Sequence, residues 1–227
     1  RLWMNFDSRN DRLFPTRGQF HSLSVEVADQ YIASEIDYVR VTGTAQFYRP
    51  IIGPFIFRLR ADTGLVWSRN PEGVPIYERY FLGGIQTVRG FRLFSLGPRI
   101  QVLNEQNPYA FTQPFTIGAN WQVMVNSEIE FLILPAVQIK GVVFFDMGNG
   151  YNLEQRYCPS QAAAAAVEKV FDPCEHYPTF QNLRYSVGFG FRWFSPIGPL
   201  RFEWGIPLKR ELGEDSIVFE FTIGNFF

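Results

Sequence analysis

Few of the 227 residues combine the side-chain types and the spacing that catalysis requires. The two histidines, His21 and His176, stand outside any His-Glu-x-x-His arrangement that would hold a catalytic metal. Ser22 and Ser24 beside His21 are the only faint candidates for a hydrolase pair. Gly83-Gly84 lacks the Lys-Ser/Thr context of a phosphate-binding loop. We therefore expect a protein that is not an enzyme and that requires no cofactor.

The two cysteines, Cys158 and Cys174, are separated by a polar segment. With His176 they offer three metal ligands, but a structural zinc site requires four. An even pair of cysteines in a polar segment is more typical of one disulfide formed in an oxidising compartment. We therefore expect a disulfide between Cys158 and Cys174 and no metal site.

Charge and composition narrow the class of protein that must position these residues. The chain has 21 basic and 22 acidic side chains, so it has no basic excess for binding nucleic acid. Its longest apolar run, Phe131–Val137, is far shorter than the roughly 20 residues of a membrane-spanning helix. Aromatic residues make up 17% of the chain, beside 19 Gly and 15 Pro. This composition predicts many aromatic strands joined by turns.

Apolar and polar residues alternate with a period of two along much of the chain. In the segment from 120 to 134, one face carries Glu128 and Glu130 while the other carries Ile129 and Phe131. The same alternation predicts nine strands, which cover residues 1–9, 17–28, 34–48, 54–67, 120–134, 137–151, 183–194, 200–208 and 216–224.

Amphipathic strands suit either a water-soluble sandwich or a membrane barrel with a polar lumen. Most of the predicted strands have the roughly 9–11 residues that a tilted membrane span requires. Charged residues such as Arg58, Glu128 and Arg192 fall on the face that would avoid lipid, and aromatic residues such as Trp67 and Trp121 lie near strand ends. The pattern favours an all-β fold, a transmembrane antiparallel β-barrel of eight or nine strands forming one domain over 1–227.

The connections divide into two groups of different length. Short ones, such as Pro135-Ala136 and Ser195–Gly198, are expected at one rim, as periplasmic turns are. Long ones, at 68–118 and 152–181, are expected at the opposite, external rim. Within the second, the Ala-rich segment Ser160–Lys169 predicts a short helix between the two cysteines.

Four motifs occur in an order that is specific to one family. Phe81–Arg92 contains Val-Arg-Gly-Phe and is followed by Glu128–Phe131, Val143–Gly148 and Ser195–Leu200. The whole chain, to its end at Phe219–Phe227, thereby resembles the bacterial surface antigen superfamily of outer-membrane barrels, which includes BamA-type assembly factors. The resemblance implies a bacterial outer-membrane location, with outer-membrane lipids and client outer-membrane proteins as partners.

The resemblance also implies roles for particular residues. In the family, the signature loop folds back into the lumen and its arginine contacts two strand motifs. We accordingly expect Arg89 to pair with Glu130 and Asp146, which a guanidinium can do bidentately. The pairing suits a structural clamp, a gating role or both. The signature loop itself is expected to depend on the residues Gly83, Gly84, Val88, Gly90 and Phe91.

The last strand carries the residues that the resemblance connects with a weak seam between the first and last strands. An open seam would expose unpaired backbone groups to an incoming strand. The residues concerned are Phe219, Phe221, Ile223, Gly224 and Phe227. The apolar ones among them would also serve simply to pack against lipid.

The sequence departs from the family in length. Family members have sixteen strands and preceding POTRA domains, whereas this sequence starts at what corresponds to the eighth strand. Eight or nine strands alone leave little room for the signature loop. The sequence is therefore expected to be the C-terminal part of a longer barrel or to form a homodimer. Insertion of outer-membrane proteins is the expected function, and the alternatives are a pore or translocation barrel and an inert barrel fragment.

Overall fold

Nine antiparallel strands form one sheet in which each strand pairs with its neighbour in the chain. The computed structural model describes residues 1–12, 14–29, 34–70, 73–100, 103–104, 107–111, 115–154, 182–196, 198–211 and 213–224. The strands are β1 (Leu2–Asp7), β2 (Gly18–Ala28), β3 (Tyr38–Pro50), β4 (Ile56–Trp67), β5 (Trp121–Leu134), β6 (Ile139–Tyr151), β7 (Arg184–Ser195), β8 (Gly198–Pro207) and β9 (Val218–Ile223). The period-two prediction of nine strands is confirmed.

Between β4 and β5 the chain forms smaller elements. A 3-10 turn covers Ile76–Glu78, and two short two-stranded ladders follow. The ladders pair Arg99–Ile100 with Phe115–Thr116 and Leu103–Asn104 with Asn107–Phe111. Another 3-10 turn, Pro135–Val137, joins β5 to β6. No helix in the described part of the chain is both long enough and apolar enough to cross a membrane.

The distribution of polar and apolar side chains is the reverse of that in a water-soluble sandwich. The charged residues Asp146 and Arg192 are 0% exposed, whereas Phe219 is 52% and Ile223 57% exposed. Large exposed apolar surfaces of this kind mark contact with a membrane or a partner. The alternation therefore directs charges to the inner face and apolar groups outward, as in an outer-membrane barrel.

The sheet remains open at both ends. The ladder runs from β1 to β9, and no pairing joins these two strands among the described residues. The all-β antiparallel prediction is confirmed, with an open sheet in place of a closed barrel. β1 and β9 thus each have one edge that no other described strand covers.

The antiparallel order places the short connections on one rim and the long ones on the other. The chain turns between β3 and β4 at 51–55, between β5 and β6 at 135–138, and between β7 and β8 near 196. The connection from β1 to β2 lies on this same rim. Its Phe14 packs edge-on against Phe194 at the end of β7, with ring centroids 4.6 Å apart. This contact bridges distant parts of the sheet.

Aromatic rings stack across the outer face of the last three strands. Phe202 lies between Phe191 and Phe221, at centroid distances of 4.7 and 4.9 Å. Trp204 stacks on Phe189 at 5.6 Å and lies 4.9 Å from Phe219. Cross-strand aromatic pairs stabilise a sheet beyond their burial, so this aromatic ladder fixes β9 against β8.

Several sequence-based predictions fall on residues outside the described part of the chain. These are the disulfide between Cys158 and Cys174, the helix at Ser160–Lys169, His176 and the terminal Phe227.

Candidate functional site

The signature loop, which we define as residues 81–96, is shaped by its own backbone hydrogen bonds. Gly84 N–H donates to the carbonyl of Phe91 at 3.0 Å, and Leu96 N–H donates to that of Leu82 at 3.0 Å. The Thr87 hydroxyl accepts from Gly83 N–H at 2.8 Å. These bonds satisfy groups that a buried loop would otherwise leave without partners.

A small apolar cluster anchors the loop to the inner face of the sheet. The loop contributes Leu82, Val88, Phe91 and Leu96, and each of them is at most 2% exposed. They pack with Met124 of β5 and with Ala119 just before it. Burial of this kind contributes roughly 1.5–3 kcal/mol for a large apolar side chain. Val88 and Phe91 therefore hold Arg89, which lies between them in the chain, at a fixed position.

The glycine of the Val-Arg-Gly-Phe motif lies against the backbone of β8. Gly90 has a φ of 84°, which favours glycine, and a Cβ atom there would lie 3.0 Å from the carbonyl carbon of Gly205. A Cβ atom on Gly205 would collide with the nitrogen and Cα of Gly90. Two facing glycines thus permit a direct backbone approach of the loop to the strand. Sequence reasoning missed Gly205.

Three carboxylates bind the guanidinium of Arg89. Its Nε and Nη2 bind the two oxygens of Asp146, each at 2.6 Å, and its backbone N–H also donates to Asp146. Nη1 donates to Glu128 at 2.6 Å and to Glu203 at 3.0 Å. The guanidinium carbon lies 3.6 Å from the centre of the Phe144 ring. The loop is thereby tied to β5, β6 and β8 at once.

The expected pairing of Arg89 with Asp146 is present, but the pairing with Glu130 is replaced by one with Glu128. Glu130 binds Arg58 at 2.7 Å, Lys140 at 2.8 Å and Arg192 at 3.2 Å. Both glutamates face the lumen on β5, about 7 Å apart along the strand. The alternation of polar and apolar residues along β5 identifies the face on which both glutamates lie. It does not show which of the two lies at the same height in the lumen as Arg89.

Arg192 on β7 connects the two glutamates and was not singled out as a site residue from the sequence. It donates to Glu128 at 2.9 Å and to Glu203 at 3.0 Å, beside its bond to Glu130. Arg201 also binds Glu203, at 2.9 Å. The only signal in the sequence was the position of these charges on the lumenal face. We call the set Arg58, Arg89, Glu128, Glu130, Lys140, Asp146, Arg192, Arg201 and Glu203 the lumenal cluster.

A second ion pair fixes the start of the loop. Arg79, whose side chain is fully buried, binds Glu154 just beyond β6. It also donates to the carbonyl of Val74 at 3.1 Å and to Asn152 at 3.3 Å. Glu154 in turn accepts from the Val74 backbone at 2.9 Å. Nothing in the sequence indicated this contact, because Glu154 lies 75 residues from Arg79.

The described seam residues lie at the open edge. Phe219, Phe221 and Ile223 point outward and are about half exposed. Gly224 follows the last residue of β9, with a φ of 123°, and its N–H donates to the carbonyl of Pro199 at 2.9 Å. The glycine therefore continues the backbone pairing with β8 by one hydrogen bond beyond Ile223.

The inverted sheet, the lumenal cluster and the internal loop define an outer-membrane barrel protein whose lumen is filled by a loop. The Omp85 superfamily domain matches residues 1–227. The chain belongs to the Omp85 superfamily, which confirms the resemblance read from the motifs.

The most informative relatives are outer-membrane assembly factors. The chain is 28% identical to BamA of Neisseria meningitidis over 225 residues and 27% identical to BamA of Nitratidesulfovibrio vulgaris over 223 residues. The alignments cover 95% and 97% of the chain but only 27% and 24% of those relatives. The chain thus spans about a quarter of their length. Their names designate assembly factors and not enzymes.

A solved structure and a second group of relatives are also similar to this chain. A crystal structure of BamA from Haemophilus ducreyi lacking POTRA domains 1–3 superposes with a TM-score of 0.79 at 26% identity, covering 97% of the chain and 41% of that protein. The sorting and assembly machinery component 50 homolog of Mus musculus is 28% identical over 96 residues, which are 42% of the chain and 20% of that protein.

Proposed function

We propose that the chain supplies the C-terminal wall of a non-enzymatic barrel that folds and inserts client outer-membrane proteins. The observation that carries this proposal is the open edge of β9, held beside a fixed internal loop in a chain of the Omp85 superfamily. An uncovered strand edge presents unpaired N–H and C=O groups, which can template another strand. In lipid, the incoming strand gains partners that the bilayer core cannot provide.

The lumenal cluster has a defined role in this proposal. Removal of charges from water is costly, so such a cluster is better suited to fixing one arrangement than to adding stability. The clamp of Arg89 keeps the loop against β5, β6 and β8. The strands next to β9 therefore keep their arrangement while the edge of β9 stays uncovered for an incoming strand. The rim opposite the short turns, where the connections at 68–118 and 152–181 begin, is then the external rim.

Photo-crosslinking tests this function. A photoreactive phenylalanine analogue replaces Phe221, on the outer face of β9, in protein held in outer-membrane lipid vesicles. The matched control carries the same analogue at Phe47, which is also outward-facing and 41% exposed but lies on the internal strand β3. An unfolded client barrel should crosslink from position 221 while it inserts. Equal crosslinking from both positions, or none from either, would reject the proposal.

A homodimer is a second arrangement, because β1 and β9 each have an edge that no other described strand covers. The comparisons give it no support. Two chains joined edge to edge would form one larger wall and enclose a wider lumen. Native mass spectrometry of the detergent-extracted protein decides this point: a stable dimer is required by this arrangement, and a monomer excludes it.

A further inference from the structure

The Arg89 clamp does not reach β9, the last strand of the sheet. Its carboxylate partners lie on β5, β6 and β8, and none of them lies on β9. Yet β9 carries the open edge on which the proposed function depends. The position of this strand relative to the loop must therefore be fixed by other contacts.

The connection from β8 to β9, residues 208–217, provides them. Arg92, at the end of the signature motif, binds Asp215 through both oxygens, with Nε to Oδ2 at 2.6 Å and Nη2 to Oδ1 at 3.0 Å. Asp215 precedes β9 by three residues. The hydrogen bond from Arg92 lowers the pKa of Asp215 below its usual range, so the carboxylate stays charged at neutral pH.

A second, more buried set of contacts joins the same two segments. Arg184, at the start of β7, binds Glu211 and Glu214, each at 2.5 Å. Its guanidinium carbon lies 5.0 Å from the centre of the Phe91 ring in the loop. Arg99, just after the loop, lies 3.5 Å from Glu214. The acidic residues of the connection are therefore held from the loop side and from β7.

The middle of β9 also touches the loop. A Cβ atom on Gly84 would lie 3.3 Å from a carboxylate oxygen of Glu220. The loop thus lies close to the last strand at Glu220 and binds the connection before it at Asp215. These two residues flank Val218, the first residue of β9 that pairs with β8. Glu220 is paired across the strands with Glu203 of the lumenal cluster, whereas the contacts at Asp215, Glu211 and Glu214 involve no member of that cluster.

We infer that Arg92 and Asp215, supported by Arg184, Glu211 and Glu214, are positioning residues that set the β9 edge through the signature loop. The inference rests on the proposed function for its purpose, but the coupling itself is independent of it. Loss of the bond between Arg92 and Asp215 would change the exposure of the edge while Arg89 keeps its own carboxylate partners.

Hydrogen–deuterium exchange of residues 218–223 in lipid nanodiscs tests the coupling. Arg92→Gln changes the loop, far from β9 in the sequence, and Asp215→Asn changes the connection. Each should speed exchange by roughly 1.4- to fivefold, the range for loss of a surface ion pair. The double variant should show no further increase, and the swapped variant Arg92→Asp with Asp215→Arg should restore slow exchange.

The control breaks a matched pair elsewhere. Asp7, the last residue of β1, accepts from Arg9 through both oxygens at 2.9 Å, so Asp7→Asn should leave exchange in 218–223 unchanged. Unchanged exchange in Arg92→Gln would overturn the inference, as would additive effects or a swapped variant that fails to restore protection. If exchange responds as expected but position 221 captures no client in the parent protein, the coupling stands and the proposed function fails.

Discussion

Gly90 and Gly205 face each other through their backbones, because a Cβ atom on Gly205 would overlap the nitrogen and Cα of Gly90. One glycine belongs to the signature loop and the other to β8, so the contact determines how deep the loop sits. The carboxylate contacts of Arg89, including the one with Glu203 two residues before Gly205, depend on that depth.

Substitution of Gly205 by alanine should therefore displace the loop. Overpacking of a tight contact costs about 1–3 kcal/mol, and we expect a loss of this size in unfolding stability. A urea titration measures this loss, with the folded and unfolded protein separated as two bands on a gel of unheated samples. Gly43→Ala is the control, because its Cβ atom would lie at an ordinary 3.5 Å from Thr63. Equal stability of the two variants would contradict the assigned contact.

A double-mutant cycle distinguishes Glu128 from Glu130 as the partner of Arg89. Arg89→Gln combined with Glu128→Gln should show a coupling of about 1–3 kcal/mol, because these side chains are in direct contact. Combined with Glu130→Gln, the coupling should be smaller, since Glu130 has no direct bond to Arg89 and is linked to it through Arg192 and Glu128. The measurement is the unfolding free energy of each variant. The reverse order of couplings would restore the pairing expected from the sequence.

Arg79→Gln should loosen the start of the signature loop without releasing Arg89. The variant leaves the Glu154 carboxylate without its buried cation, which costs about 1–3 kcal/mol. Limited proteolysis should then cleave within 73–80 while the lumenal cluster stays protected. Arg12→Ala is a suitable control, because that side chain is 86% exposed. Protection of 73–80 equal to that of the parent protein would disprove a clamp at Arg79.

The tie between Arg92 and Asp215 has a predictable pH dependence. The folded pKa of Asp215 lies below its ordinary value of 3.8, so the pair is fully present at pH values well above 3.8. The contribution is lost only as the pH falls through the lowered pKa. Spin labels at Leu93 and Ser216, in a Cys158→Ser and Cys174→Ser background, should therefore report one unchanged distance from pH 7 to pH 5. A distance that broadens between pH 7 and pH 5 would require a different titrating group.

The strands and the inner face of the sheet were predictable because they depend on a local pattern. Polar and apolar residues alternate along β5 and β7, and this alternation alone assigns Glu128, Glu130 and Arg192 to the lumenal face. The signature loop and the pairing of Arg89 with Asp146 followed from the motif resemblance.

The height of each residue along the lumen was not predictable. Glu128 and Glu130 have the same type and face, and only the depth of the loop selects between them. That depth is set by Gly205, which carries no distinguishing sequence signal. The contacts of Arg79 with Glu154 and of Arg92 with Asp215 join segments 75 and 123 residues apart. Such pairs are fixed by tertiary packing, which no local pattern records.

The partners of Arg89 also imply an order of assembly. Glu128 and Asp146 lie 39 and 57 residues beyond it, whereas Glu203 lies 114 residues beyond it. Contacts between distant residues form late, since the intervening chain must first be placed. The shorter loop closures thus favour contact of the loop with β5 and β6 before β8 joins the sheet. The bond between Arg89 and Glu203 can form only in molecules in which β8 has joined the sheet. Its presence therefore reports a complete lumenal cluster.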